Sequence, residues 1–187
     1  KAPGEGKLGR SAPPPPPPQP FRMLQLCQVT RALLISNARS ACSTELVQQE
    51  AVTLCINVSR QQPFPAADHV AMLRIPVYDD PNEDLYCHFD RCADAIQSEA
   101  EHGGRTVVYC KNGRSRSATV CVAYLLKHRK LSLGDALQKV KTARHVIDPN
   151  PGFMAQLERY EQELRTRSLC FPSLRPEAPL LLTFCSI

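Results

Sequence analysis

The stretch that most constrains this chain is residues 106–126, where the apolar run TVVYC is followed by the short loop KNGRS and then by RSATVCVAYLL. Consecutive apolar positions of this kind suit a strand covered on both faces. A helix that is apolar nearly all round belongs in an interior. A chain holding both has to pack helices on a central sheet.

The flanking segments agree. The runs MLQLC (23–27) and ALLIS (32–36) predict two short strands, STELVQQ (43–49) a short helix, and VTLCINV (52–58) and AMLRIPVY (71–78) two more strands. Leu85, Phe89, Cys92 and Ile96 recur at steps of four, three and four, which predicts a helix from about Leu85 to Glu101, ended by Gly103-Gly104. Ser132 with Asp135 reads as a capping box for LGDALQKVKTAR. Pro151 opens a last helix with Phe153, Leu157, Tyr160 and Leu164 on its inner side. Strands mixed with helices, without a repeat, predict an α/β domain over residues 21–167.

Both ends differ from the body. Residues 1–20 lack core-forming side chains, and Pro13 to Pro18 favour polyproline II, so a tail is expected, with an SH3 or WW domain as its candidate partner. Residues 168–187 carry Pro172, Pro176 and Pro179 and no pattern; a disordered tail is expected there, with the apolar PLLLTF able to dock on the domain.

The longest apolar run, Val120 to Leu126, is far too short for a membrane span. Much of the net charge of +5 lies in residues 1–22, through Lys1, Lys7, Arg10 and Arg22, so no broad basic face for nucleic acid is expected on the body. Nine cysteines, odd in number and irregularly spaced, predict a reduced protein of the cytoplasm or nucleus. A monomer or weak dimer is the expected state.

The chemistry sits between the buried strand and the buried helix. A loop leaving a strand and entering a helix offers backbone N–H groups and the positive helix end to an anion. Lys111, Asn112, Gly113, Arg114, Ser115 and Arg116 are the candidate phosphate-binding residues, with Gly113 allowing the tight turn. The same field favours the nucleophilic thiolate form of a cysteine at the loop's mouth, here Cys110. Arg116 can offer a planar two-pronged donor to phosphate oxygens, and Ser117 can hydrogen-bond the sulfur.

The string VYCKNGRSRSA resembles the Cys-x5-Arg loop of the protein tyrosine phosphatase superfamily. With the AYLL and NPGFMAQLERYE segments, the likeness to an atypical dual-specificity phosphatase runs from about residue 24 to 166. The resemblance implies a central mixed, largely parallel sheet flanked by helices. It implies a hydrolase that removes phosphate from phosphotyrosine, phosphoserine and phosphothreonine proteins through a phosphocysteine, with neither metal nor cofactor. Cys110, Arg116, Ser117 and a general acid on an upstream loop would be the catalytic residues. Matching through Ile75-Pro76 before and Leu85 and His88-Phe89 after, the acid falls on Asp79, with Asp80 the alternative. Glu83 and Asp84 read as solvated carboxylates at a helix start. Asp148-Pro149 resembles the downstream acid of the low-molecular-weight tyrosine phosphatases. Those enzymes carry their Cys near the N-terminus, whereas several strands precede Cys110 here, so Asp148 is expected to be a turn residue.

The sequence departs from the family pattern in two respects. Tyr109 stands where most members have His before the Cys, which implies slow turnover. A phosphate-gripping recognition module is the competing class. Lys111 and Arg114 resemble the basic loops of tensin-like phosphoinositide phosphatases, which makes a phosphoinositide an alternative substrate. Cys87, His88 and Cys92 lack the spacing of a metal site. Cys42, Cys55 and Cys121 are expected to be core thiols; whether one of them forms a backup disulfide with Cys110 is left open by the spacing. His69, His102, His128 and His145 are expected at the surface or at an interface.

Overall fold

A computed structural model describes residues 24–170. The Pro-rich stretch 1–20 and the PLLLTF segment lie outside the described residues.

Five strands form one sheet: β1 (Cys27–Thr30), β2 (Leu33–Asn37), β3 (Leu54–Asn57), β4 (Ala71–Arg74) and β5 (Thr106–Cys110), in the order β1-β2-β5-β3-β4. β1 pairs antiparallel with β2, and the other pairings are parallel, so the sheet is mixed and largely parallel as expected. β5 is the central strand, bonded to β2 on one side and β3 on the other, and all five of its residues are buried.

The helices are α1 (Ala38–Ala41), α2 (Thr44–Gln49), α3 (Phe89–Glu101), α4 (Arg116–Arg129), α5 (Leu133–Ala143) and α6 (Pro151–Cys170), with a 3-10 turn at Tyr86–His88 before α3. The period-two alternation of β5 splits its side chains between two cores. Val108 and Cys110 face the large core shared with α3, α4 and α6, while Val107 and Tyr109 face the smaller one with Ala38, Ala41 and Val47. α4 occupies the middle of the large core, with residues Arg116 to Leu126 all buried, as its all-round apolar sequence requires. Phe89, Tyr86 and Tyr160 form an aromatic cluster joining α3 to α6, with ring centroids 5.1 to 5.7 Å apart.

Four details differ from the sequence reading. The first strand begins at Cys27 rather than running through MLQLC, because the hairpin register places Cys27 opposite Ile35. β4 stops at Arg74: Ile75 donates the last ladder bond to the Asn57 carbonyl, and Pro76 has no N–H to continue. A short α1 over Ala38–Ala41, capped by the Asn37 side chain, was not foreseen. α6 continues to Cys170, three residues past the expected end of the domain. The Ser132 cap is present, its Oγ accepting from the Asp135 N–H at 3.1 Å.

Among the described residues, no helix is long and apolar enough to cross a membrane, and no three His, Cys, Asp or Glu side chains converge to hold a metal ion.

Candidate active site

The loop 111–115 turns back sharply between β5 and α4. Gly113 has φ +63°, and a Cβ there would lie 2.6 Å from the Ser36 carbonyl oxygen, so only glycine allows the loop to press onto the end of β2. Successive loop carbonyls are drawn outward by neighbours. Lys111 O accepts from the Ala38 N–H at 3.4 Å, and Arg114 O from the Asp148 N–H at 2.9 Å. The Arg144 guanidinium donates to Gly113 O through Nε at 2.7 Å and to Asn112 O through Nη2 at 3.2 Å. No side chain caps the N-terminus of α4. With carbonyls held outward and the first-turn amides uncapped, the concave side of the loop is left to N–H donors and the positive helix end.

Cys110, Arg116 and Ser117 are all buried where the loop joins β5 and α4. Cys110 is buried, and its Sγ lies 3.3 Å from Ser117 Oγ. The Arg116 side chain is also buried, with Nη1 donating to the Val77 carbonyl at 3.1 Å. Its Nε has no hydrogen-bond partner among the described residues. A buried guanidinium with a spare donor is prepared for an anion, since leaving such a group unpaired is costly.

The Val77 carbonyl belongs to the loop that carries the candidate acids. Asp79 Oδ1 accepts from Asn150 Nδ2 at 3.0 Å. Asp80 is engaged within its own turn, its Oδ1 accepting from the Asn82 N–H at 2.8 Å and from Asn82 Nδ2 at 3.1 Å. Glu83 is less solvated than expected: its carboxylate accepts from the Tyr78 N–H at 3.0 Å. Asp84 caps the 3-10 turn by accepting from the Cys87 N–H at 3.1 Å.

This loop rests on the start of α6. Gly152 packs so closely that a Cβ would collide with the Pro81 carbonyl. Gln156 accepts from the Leu85 and Tyr86 N–H groups at 3.0 and 2.8 Å and donates to Glu83 O at 2.8 Å. Between the two loops an open cavity of about 550 Å³ is lined by Asp79, Asn112, Arg114, Ser115, Asp148 and Asn150, among others.

Not every expected residue points the same way. Arg114 extends to the surface and pairs with Asp148 at 3.2 Å, both side chains more than half exposed. Asp148, the expected turn residue, is thus also an ion-pair partner, and Lys111 is likewise exposed. Ser115 Oγ accepts from the Asn150 N–H at 2.9 Å. Cys42 is only half-buried, its thiol 3.5 Å from the Pro63 carbonyl, which corrects its reading as a core thiol. Burial pushes the Cys55 and Cys92 thiols up to about 12 and the Cys121 thiol higher still, so these three stay protonated. The seven cysteines from Cys27 to Cys121 are all free. His128 is partly buried, with its Nε2 2.8 Å from Asp94 Oδ1.

Tyr109 turns away from the loop into the smaller core, where its hydroxyl donates to the Pro63 carbonyl at 2.7 Å. Burial, and to a lesser degree the neighbouring Cys42 and Cys55, push its phenol far above the ordinary value, so it remains a neutral donor.

The sequence reading missed Arg144, Asn150 and Gln156, which tie the two loops together. None of them shows in apolar periodicity. The only signal was the helix start at Asn150-Pro151.

Comparison with known proteins agrees with this geometry. Residues 33–163 match the family described as dual specificity phosphatase, catalytic domain. The chain is 54% identical over 142 residues to mouse dual specificity phosphatase 28, covering 76% of this chain and 87% of the relative. It is 51% identical over 156 residues to the human protein of that name, covering 83% and 86%. A crystal structure of human DUSP28 superimposes with a TM-score of 0.75 at 52% identity, covering 76% of this chain and all of that one. The chain belongs to the dual specificity phosphatase family.

Proposed function

We propose that this cysteine-based protein phosphatase hydrolyses phosphotyrosine, phosphoserine and phosphothreonine in proteins with Cys110 as nucleophile, Arg116 as phosphate clamp, Asp79 as general acid and Ser117 as the sulfur's hydrogen-bond partner. The observations that carry this reading are the meeting of Cys110 Sγ with Ser117 Oγ at 3.3 Å and, in the same loop-to-helix segment, the buried Arg116 guanidinium whose Nε has no partner among the described residues.

The substrate phosphate enters the loop with its equatorial oxygens toward the loop amides 111–115 and Arg116. The Cys110 thiolate attacks phosphorus, the bond from phosphorus to the ester oxygen breaks, and the proton on Asp79 passes to that leaving oxygen. The loop dipoles and Arg116 stabilise the equatorial charge. In the second step, the Asp79 carboxylate takes a proton from water as its oxygen attacks the phosphocysteine. The bond from phosphorus to sulfur breaks, inorganic phosphate leaves, and the Ser117 hydroxyl stabilises the departing thiolate. Among the nearby acids, Asp80 is committed to its own turn, which supports Asp79.

Turnover is slow in this reading because Tyr109 replaces the family's His. A histidine there is able to carry a proton and lend positive charge to the thiolate; the neutral Tyr109 phenol, bonded to Pro63, lends none. The phosphoinositide alternative has less support, since Arg114 is directed to the surface and paired with Asp148 there. The free thiols are in keeping with the cytoplasm or nucleus.

The test is turnover of an aryl phosphate and a phosphotyrosine peptide by wild type, Cys110→Ser and Asp79→Asn. Activity abolished in Cys110→Ser, and peptide turnover lowered more than aryl phosphate turnover in Asp79→Asn, is the expected result. Phosphopeptide binding without turnover above Cys110→Ser would make the chain a recognition module instead.

A further inference from the structure

Asn150 touches both halves of the site at once. Its backbone N–H donates to Ser115 Oγ in the phosphate loop at 2.9 Å, and its side-chain amide donates to Asp79 Oδ1 at 3.0 Å. The same side chain caps α6, its Oδ1 accepting from the Phe153 N–H at 2.9 Å.

The cap fixes which way the amide faces. A carboxamide has one acceptor oxygen and one donor nitrogen, and the Phe153 N–H requires the oxygen. The nitrogen is therefore committed to Asp79. An N–H donor on Oδ1 favours the carbonyl form of that oxygen, the better acceptor, so a neutral Asp79 carries its proton preferentially on Oδ2. The amide also holds the carboxyl at a fixed span from the phosphate loop, because its own backbone is bonded to Ser115.

From this arrangement we infer that Asn150 is a positioning residue for the general acid: it selects Oδ2 of Asp79 as the proton donor and sets the acid's distance from the phosphate loop. The inference rests on Asp79 being the acid. Its effect is confined to the step in which the leaving oxygen is protonated. A leaving group that departs readily as an anion needs little help, whereas phenolate and alkoxide leaving groups depend on it.

A structural role for Asn150 as helix cap has a different signature, which Asn150→Ser separates. Serine keeps a cap acceptor, being among the preferred N-cap residues, but has no amide to reach Asp79. The experiment compares wild type, Asn150→Ser, Asp79→Asn and the double variant on a series of aryl and alkyl phosphates of rising leaving-group basicity, with thermal melting of each. For Asn150→Ser, the expected result is turnover within about twofold of wild type on 4-nitrophenyl phosphate and about tenfold slower on the most basic leaving groups, the factor for loss of one hydrogen bond to an ionisable group. The double variant should be no slower than Asp79→Asn alone, since the two residues act as one unit. A steep leaving-group dependence in Asp79→Asn with a wild-type profile in Asn150→Ser would overturn the inference and leave Asp79 as the acid. A flat profile in Asp79→Asn would overturn both. Equal slowing of Asn150→Ser on every substrate would assign the residue a structural role only and overturn the inference as well.

Discussion

Arg144 provides the sharpest test of how the phosphate loop is held. Its guanidinium reaches the loop from beyond α5, with Nε 2.7 Å from Gly113 O, Nη2 3.2 Å from Asn112 O and Nη1 3.7 Å from Cys27 Sγ. Arg144→Met keeps the aliphatic stem and removes every donor. The short, partly buried bond to Gly113 is charge-assisted, a class worth about 1.5 to 3 kcal/mol. The more exposed bond to Asn112 adds about 0.5 kcal/mol, and the sulfur contact less. Loss of about 2 kcal/mol follows, which at a urea slope of about 2 kcal/mol/M lowers the unfolding midpoint by about 1 M without altering the slope. The released carbonyls are free to turn inward, against the anion, so inhibition by vanadate should weaken by about tenfold. Arg144→Lys should recover only part of either quantity, since a lysine ammonium cannot reproduce the planar fork. An Arg144→Met protein with an unchanged urea midpoint and unchanged vanadate inhibition would refute the bracing role.

Two further outcomes follow from charged and polar contacts. Tyr109→His should raise kcat on 4-nitrophenyl phosphate about tenfold, because a protonatable ring replaces a neutral phenol at the position before Cys110; an unchanged pH-rate profile and kcat would remove Tyr109 as the cause of slow turnover. Burial opposes the charge on Asp90, but hydrogen bonds from Lys127 and Tyr160, with the Lys127 charge, outweigh it and hold its carboxyl at about 2. Because the folded value lies below the ordinary 3.8, the contribution is fully present above that pH and is lost as pH falls toward 2. With the side chain 46% exposed, screening leaves it worth under about 1 kcal/mol. The stability gap between wild type and Asp90→Asn in urea unfolding should therefore narrow from pH 5 to pH 2, and a gap independent of pH would contradict the assignment.

The sequence made the site's foundation legible because that foundation is apolar. TVVYC and SATVCVAYLL have one stable home each, and once they are placed the loop between them has to sit at a strand end and a helix start. Elements resting on weaker signals shifted. MLQLC is as apolar as a strand, yet the hairpin turn at Arg31-Ala32, which lacks Gly, Pro or Asn, sets the first strand over Cys27–Thr30. In AMLRIPVY the period continues past Arg74, but Pro76 ends the ladder and the chain turns so that the Val77 carbonyl meets Arg116. Arg144, Asn150 and Gln156 were invisible for a physical reason. Each acts through polar bonds to groups up to 73 residues away, and such bonds leave no periodic trace.

Those unseen residues explain how a site made from separate loops is kept in register. Cys110 and Arg116 are anchored by the core through β5 and α4, whereas the loop bearing Asp79, the acid loop of the proposed mechanism, has no regular structure between Arg74 and the 3-10 turn at Tyr86. Left to its own backbone, that loop has many conformations, and ordering each residue costs about 1 to 2 kcal/mol. The segment from Arg144 to Gln156 offsets this by bonding to both sides: Arg144, Asp148 and the Asn150 N–H to the phosphate loop, and the Asn150 side chain, Gly152 and Gln156 to the acid loop. Arg116 closes the circuit through Val77. In the proposed reading, an anion held by Arg116 is therefore linked to the loop that bears Asp79 through the Val77 carbonyl.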